Sequence, residues 1–375
     1  MRSQKVGILG GGQLGMLLVQ KAMELPITVK VLDPNPEASV ANFVHDFVVG
    51  DLLDYETVLN FGQDCDIITF EIETVNTEAL LQLKSQGKQV HPDPEVLKTI
   101  QDKGLQREFL EKHGFPQTKY QLLDEDAVKN YTGPFPIVQK LRTGGYDGKG
   151  VQIIKSTEDK NKILPGPSVF EELVEIQSEL SILAARNPNG KIAVFPPIEL
   201  IFHPEANLVD TLIAPARIAD NQTTKAIELT KKLAEKLNIV GVFAVEMFID
   251  KNSEVLINEI SPRPHNSGHH TVFANVCSQY EQHLRAILNL PLGSTELLTP
   301  AVLINLLGDK NANGKTDYQG LVEAYKIPEA KLVFYGKSTV KPYRKMGHAV
   351  LIDKTIDQAL KKADILRKTL TITNQ

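Results

Sequence analysis

Short apolar runs alternate with stretches of helical spacing through the first 100 residues. Lys5 to Leu9 reads as a buried strand, and from Gln13 to Glu24 the apolar Leu14, Leu17, Leu18 and Ala22 recur near helical spacing. Ile27 to Leu32 predicts a second strand, Asp54 to Phe61 a short helix, Asp66 to Glu71 a third strand and Thr77 to Gln86 another helix. Gln89 to His91 then runs extended into Pro92. Strand and helix alternating in this way predict a parallel sheet covered by helices. The prolines at 92 and 94 interrupt the pattern ahead of one further helical stretch, Val96 to His113, so the first domain is placed at 1–100.

Downstream the rhythm changes. Three short strand patterns, Pro136 to Lys140, Val151 to Ile154 and Ser168 to Glu172, surround a glycine-dense segment and predict a small α+β unit over 101–174. In Thr223 to Leu237, residues Ala226, Ile227, Leu233, Ala234 and Leu237 share one helical face while the charges turn outward. Val242 to Ile249 and Glu254 to Ile260 flank the turn-rich Asp250-Lys-Asn-Ser253 and predict a hairpin. A final helix, Thr355 to Leu370, is expected to cover a sheet face. The fold class is therefore mixed α/β and α+β, in three parts: 1–100, 101–174 and 175–375.

Composition narrows the function. The chain has 375 residues, 42% hydrophobic and 23% charged, which is the composition of an ordinary globular protein with room for two or three domains. A net charge of -5 supplies no global field for nucleic acid or an acidic membrane, so neither is expected as a partner. Cys65 and Cys277 stand far apart with no CxxC, which points away from a disulfide framework or structural zinc and toward a reducing, cytoplasmic setting. No apolar run reaches the length of a membrane helix, and Gly10, Gly11 and Gly12 cut the N-terminal run.

Four segments carry chemistry. Gly10-Gly-Gly-Gln-Leu-Gly15 holds G-x-G-x-x-G between a predicted strand and helix, with Asp33 ending the next strand. Such a loop brings backbone close to an anion at a helix N-terminus, and Asp33 is spaced to meet a ribose. A glycine turn with no nicotinamide cofactor accounts for the same residues, as a rigid Asp33-Pro-Asn-Pro36 turn does for Asp33. Thr143 to Gly150 places four glycines with Tyr146, Asp147 and Lys149 between two strands, after Lys140. Its N-H groups and lysines suit polyphosphate and its glycines suit a moving lid, although Asp147-Gly148 is also a plain turn dipeptide.

The hairpin supplies the third. Its turn brings Glu246 opposite Asn258 or Glu259, and carboxylates that meet among apolar strands repel unless a cation lies between them. Oxygen-only donors of this kind suit magnesium with phosphates, whereas an exposed pair neutralised by Lys or Arg is the plainer alternative. Ser261-Pro-Arg-Pro-His-Asn-Ser-Gly-His-His270 follows at once, its prolines holding Arg263 and His265 in place so that a fixed cation can meet an anionic intermediate beside the hairpin. The spacing of His265, His269 and His270 fits no zinc motif, and His269 and His270 also read as structural. Last, Tyr335 to Lys345 gathers Lys337, Lys341, Arg344 and Lys345, either a solvated basic loop or a pocket for one substrate phosphate.

In this order the segments resemble the ATP-grasp superfamily and, within it, the N5-carboxyaminoimidazole ribonucleotide synthase family of bacterial purine biosynthesis. The resemblance covers almost the whole chain and rests on Gly10 to Gly15, Phe70-Glu-Ile-Glu73, His91-Pro-Asp-Pro94, Arg142 to Gly150 and Asn258 to His269. It implies an ATP-grasp fold: an N-terminal Rossmann-like (pre-ATP-grasp) domain, a small lid domain and a large domain ending in a substrate-phosphate segment. It implies a ligase and homodimer that uses ATP, Mg2+ and bicarbonate to carboxylate 5-aminoimidazole ribonucleotide by way of carboxyphosphate.

Carried over by position, the resemblance assigns Lys103, Lys140, Gly145, Tyr146, Asp147, Gly148, Lys149, Gly150, Glu171, Glu172, Leu173, Val174, Glu179, His203, Asn258 and Glu259 to ATP. Magnesium falls to Glu246, Asn258 and Glu259, and catalysis to Arg263, His265, Lys337 and Asp147. Gln13, Leu14, Tyr146, Asp147, Lys337 and Arg344 surround the ribonucleotide. The chain departs from the family at Met16 and Lys103, where Arg is usual. Three other readings remain open: a related ATP-grasp enzyme such as a formate-dependent glycinamide ribonucleotide transformylase or a biotin carboxylase, which would share the lid and magnesium residues but differ in the substrate pocket; an NAD-dependent oxidoreductase, which leaves Glu246 and Glu259 unexplained; and a nucleotide sensor, which has no use for Arg263, His265 and both carboxylates together.

Overall fold

The computed structural model describes residues 4–145, 150–202 and 208–375. Its first sheet is parallel, in the order Asp46–Val49, Thr28–Asp33, Lys5–Leu9, Ile67–Phe70, Gln89–Val90. The order reverses beside Lys5–Leu9, and at that reversal the glycine loop leads into the helix Gln13–Ala22, the place where open α/β sheets bind ligands. The edge strand Asp46–Val49 was not predicted: four residues with half-exposed side chains carry no periodic signal.

The predicted helix Val96 to His113 is instead two helices, Pro94–Gln101 and Lys103–Lys112. Asp102 breaks the run. Its backbone is extended, its carboxylate accepts from the N-H groups of Gly104 and Leu105, and Arg142 grips the same carboxylate with Nη2 to Oδ2 at 2.7 Å. A cap of this kind starts a helix. Periodicity alone does not reveal the Arg142 contact that holds the break.

The small unit is an antiparallel sheet ordered Tyr120–Leu123, Ser168–Glu172, Ile137–Leu141, Val151–Ile154. The main sheet has nine strands. It runs from Val255–Ser261 and Gly241–Asp250 through Ile176–Arg186, Ile198–Phe202 and Val209–Ala214 to Ala301–Leu307, Lys345–Ile352 and Ala330–Phe334, with Ile192–Val194 beside Ile176–Arg186. Pairing of Val209–Ala214 with Ala301–Leu307 carries it without interruption into the C-terminal region.

The helix Asp220–Leu237 starts three residues earlier than Thr223, because the Gln222 side chain accepts from Ala219 N and closes the first turn. Its Leu229, Leu233 and Leu237 bury against the hairpin strands. Ile356–Thr369 packs Ala363 and Leu366 onto the C-terminal strands, so the last predicted helix does cover a sheet. The first and main sheets are joined through His283, whose Nδ1 accepts from Val242 N at 3.0 Å while its Nε2 meets Thr69 Oγ1 at 2.8 Å.

Candidate functional site

In the hairpin Gly241–Asp250 and Val255–Ser261, Glu246 stands opposite Glu259, one of the two predicted registers. A bulge follows: Met247 pairs with Ile257, which leaves Asn258 as the extra residue. Strict alternation would send Asn258 and Glu259 to opposite faces; the bulge brings both to one side. Asn258 Oδ1 accepts from Lys140 Nζ at 2.8 Å, and Glu259 pairs with Lys103 at the start of its helix.

Charge is unevenly settled in this group. Burial, and then the charges of Glu259 and Glu179, push the Glu246 carboxyl up to about 7. Burial likewise pushes Glu179 up to about 7. Glu259 is held down at about 2 because the Lys103 ammonium overcomes the upward push of burial. Beneath lies a buried ion group: Arg107 Nε to Glu171 Oε1 at 2.9 Å and Lys140 Nζ to Glu171 Oε2 at 3.0 Å, with Thr118 Oγ1 donating to Glu171 at 3.0 Å. Arg107 and Glu171 are each 3% exposed. The Glu171 carboxylate is thus committed to two cations, so for the predicted ATP contact it leaves only its backbone. Arg107 was not predicted; its helical position looks like any surface arginine until Glu171 arrives from the small sheet.

Glu172 ends that sheet, exposed beside Lys119, and Leu173 and Val174 form the short link to the main sheet, Leu173 being 40% exposed. Gly145 and Gly150 flank the segment expected to form a lid, and Leu141 N donates to Gly150 O at 2.8 Å. Tyr146, Asp147, Gly148, Lys149 and His203 lie outside the described residues.

The Ser-Pro-Arg-Pro-His segment crosses from the hairpin to the first sheet. Arg263 Nη2 lies 3.2 Å from Glu73, and its buried Nε has no hydrogen-bond partner among the described residues. His265 Nε2 lies 3.9 Å from Glu246, its Nδ1 2.9 Å from Ser267 Oγ. Gln13 Nε2 reaches Asn266 at 3.4 Å, bringing the glycine loop to this segment. Leu14 is buried in the helix behind it. Lys337 Nζ donates to Lys345 O at 2.6 Å, and Arg344 Nη1 to Thr339 O at 2.7 Å.

The glycine loop answers its own N-H groups. Gly11 N donates to Asp33 Oδ2 at 2.7 Å and Gly12 N to Glu71 Oε1 at 2.8 Å. Asp33 is thereby turned into the loop, away from the ribose role of the dinucleotide reading, and two carboxylates stand where a pyrophosphate needs open donors.

Among the described residues no group of three or more His, Cys, Asp or Glu is spaced to ligate a metal. The donor chemistry of Glu246, Asn258 and Glu259 nevertheless fits a hard cation: all offer oxygens, and Glu246 is a partly buried carboxyl group whose neighbours include two others.

The fold and this site define an ATP-grasp enzyme. The ATP-grasp domain matches residues 108–280, the ribonucleotide synthetase preATP-grasp domain residues 3–101, and the phosphoribosylaminoimidazole carboxylase C-terminal domain residues 301–362. The N5-carboxyaminoimidazole ribonucleotide synthetase of Thermotoga maritima superposes with a TM-score of 0.91 at 42% identity, over 99% of this chain and 100% of that one. The Aspergillus clavatus N5-carboxyaminoimidazole synthase, solved with ADP and 5-aminoimidazole ribonucleotide, gives 0.88 at 31% identity over 98% of each chain. The phosphoribosylaminoimidazole carboxylase of Candida albicans is 36% identical over 96% of this chain, which spans 66% of that protein's length. The chain belongs to the N5-carboxyaminoimidazole ribonucleotide synthase family of ATP-grasp ligases.

No helix among the described residues is long and apolar enough to cross a membrane.

Proposed function

We propose that this chain couples ATP cleavage to carboxylation of 5-aminoimidazole ribonucleotide by bicarbonate, giving N5-carboxyaminoimidazole ribonucleotide, ADP and phosphate in purine biosynthesis. The observation that carries the reading is the meeting of Lys103, Lys140, Glu246 and Glu259 with Arg263 and His265 beside the glycine loop. The proximity of residues assigned to the nucleotide phosphates and residues assigned to the substrate supports the reading.

Phosphoryl transfer depends mainly on positioning and charge stabilisation. Lys103 and Lys140 hold the ATP phosphates, and Leu173, Val174, Glu172 and Glu179 line the base and sugar. Glu246, Asn258 and Glu259 would hold magnesium, which when bound neutralises phosphate charge. Bicarbonate oxygen attacks the γ-phosphorus, ADP departs, and Arg263 offers its unpartnered Nε to the carboxyphosphate anion. His265 supports the same anion. Carboxyphosphate separates into carbon dioxide and phosphate, and the ribonucleotide amine captures the carbon dioxide, losing a proton. Gln13, Leu14, Tyr146, Asp147, Lys337 and Arg344 are assigned to the ribonucleotide, and Gly145, Tyr146, Asp147, Gly148, Lys149, Gly150 and His203 to ATP.

The same reading divides the chain into a ribonucleotide-binding part at 1–100, a lid at 101–174 and a large part at 175–375, and makes the protein a cytoplasmic homodimer. The test is ADP release from ATP with magnesium and bicarbonate, with and without 5-aminoimidazole ribonucleotide. Release that requires the ribonucleotide supports the reading. No release, with NAD binding in its place, returns the glycine loop to a dinucleotide role and removes the mechanism.

A further inference from the structure

A row of buried rings takes no part in the chemistry above. Tyr335, His348 and His269 are 0% exposed and Tyr280 1%. The Tyr335 hydroxyl meets His348 Nδ1 at 2.8 Å and His269 Nε2 at 3.4 Å, and His269 Nδ1 meets the Tyr280 hydroxyl at 2.7 Å. The two imidazoles stack 4.3 Å apart with their planes 10° from parallel. Burial pushes His348 down to about 3 and His269 well below the ordinary range, so both are neutral near pH 7. The row therefore fixes the Tyr335 ring without placing a competing cation beside it.

The ring of Tyr335 carries Lys337, whose Nζ lies 5.4 Å from the ring centroid. An ammonium is drawn to an aromatic face by the ring quadrupole, and a long lysine stem loses freedom when its head is held. Tyr335 also shares a buried cluster with Leu14 and Leu17 of the helix after the glycine loop. One side chain thus meets both His269 and Lys337, within the cluster that also buries the helix after the glycine loop.

We propose that Tyr335 is a positioning residue for Lys337: its ring face, together with the Lys345 carbonyl that accepts from Nζ, sets where the ammonium stands, and the bonds from His348 and His269 keep that face turned toward it. The proposal rests on the role given to Lys337 above. It predicts that the effect of Tyr335 passes through Lys337 and vanishes when the ammonium is gone.

A double-mutant cycle with Tyr335→Leu and Lys337→Met tests this, read as kcat and KM for the ribonucleotide, KM for ATP, and the dissociation constant of the ribonucleotide by calorimetry with ADP present. Tyr335→Leu is expected to lower kcat/KM for the ribonucleotide about tenfold with KM for ATP unchanged, and to cost nothing further in the Lys337→Met background. An equal cost in both backgrounds overturns the proposal, since a merely structural tyrosine does not need the lysine. Lys337→Met with normal binding and turnover overturns the role of Lys337 and the proposal with it, while ribonucleotide-dependent ADP release would still stand for the overall reaction. If Tyr335→Leu does not fold, Tyr335→Phe keeps the ring and removes only the hydroxyl bonds. It is then expected to lower kcat/KM about threefold with Lys337 present and not at all with Met; equal loss in both again overturns the proposal.

Discussion

Glu246 and Glu259 face each other across one hairpin, yet one carboxyl sits at about 7 and the other at about 2. Burial acts on both. The difference comes from Lys103, which pairs with Glu259 and leaves Glu246 among like charges.

Glu246 therefore makes stability fall as pH rises. Its carboxyl takes up a proton at about 7 in the folded protein against 4.5 as the reference, so between those values the folded state binds more protons. The contribution is full below 4.5 and lost as pH passes 7. Since the side chain keeps 23% of its exposure, water relieves part of this penalty. Glu246→Gln without magnesium or nucleotide is expected to be about 1–2 kcal/mol more stable at pH 8 and no more stable near pH 4. Urea titrations at the two pH values check it; a gain that does not change with pH would remove the account.

Glu171→Gln leaves Arg107 and Lys140 buried without the carboxylate that they share. Breaking a buried pair from one side costs about 3–5 kcal/mol, so the variant is expected to melt well below the parent in calorimetry. A change below about 1 kcal/mol would mean that water reaches these cations freely.

Gly15→Ala targets a close approach of two backbones. An added Cβ would stand 2.6 Å from the Gly10 carbonyl oxygen, so the glycine loop must shift. Displacement of a positioning loop by an ångström costs up to about a hundredfold, and the loss is expected in KM for the ribonucleotide with KM for ATP unchanged. Equal changes in both constants would place the loop outside the ribonucleotide site.

Glu259→Gln keeps shape and removes one of the facing charges. ATP turnover is expected to fall by about a thousandfold or more, with the far-ultraviolet circular dichroism unchanged. Near-normal turnover would take Glu259 out of the proposed metal-holding set.

Much of this could be read from the chain. The hairpin was legible because its turn residues are polar and compact, and that put Glu246 against Asn258 or Glu259; the strand pairing selects Glu259. The bulge that turns Asn258 to the same side left no periodic mark. Nor did the break at Asp102, which depends on Arg142, 40 residues away. Arg107 and Glu171 are polar residues that look solvent-facing until two sheets close over them, so their pairing is a tertiary fact. Asp33 and Glu71 show the reverse case: the glycine pattern was plain, but whether its N-H groups faced a ligand or the protein's own carboxylates lay in the packing.

The nine-stranded sheet also decides where this protein can be cut. Thr211 to Ala214 pair with Ala301 to Ile304, so a chain stopped before Ala301 would bare the backbone edge of Val209–Ala214 along its length. A row of unpaired N-H and C=O groups is a template for adding further strands. Truncation at that seam yields an aggregating fragment, and two halves expressed separately have a ready-made interface through which to find each other.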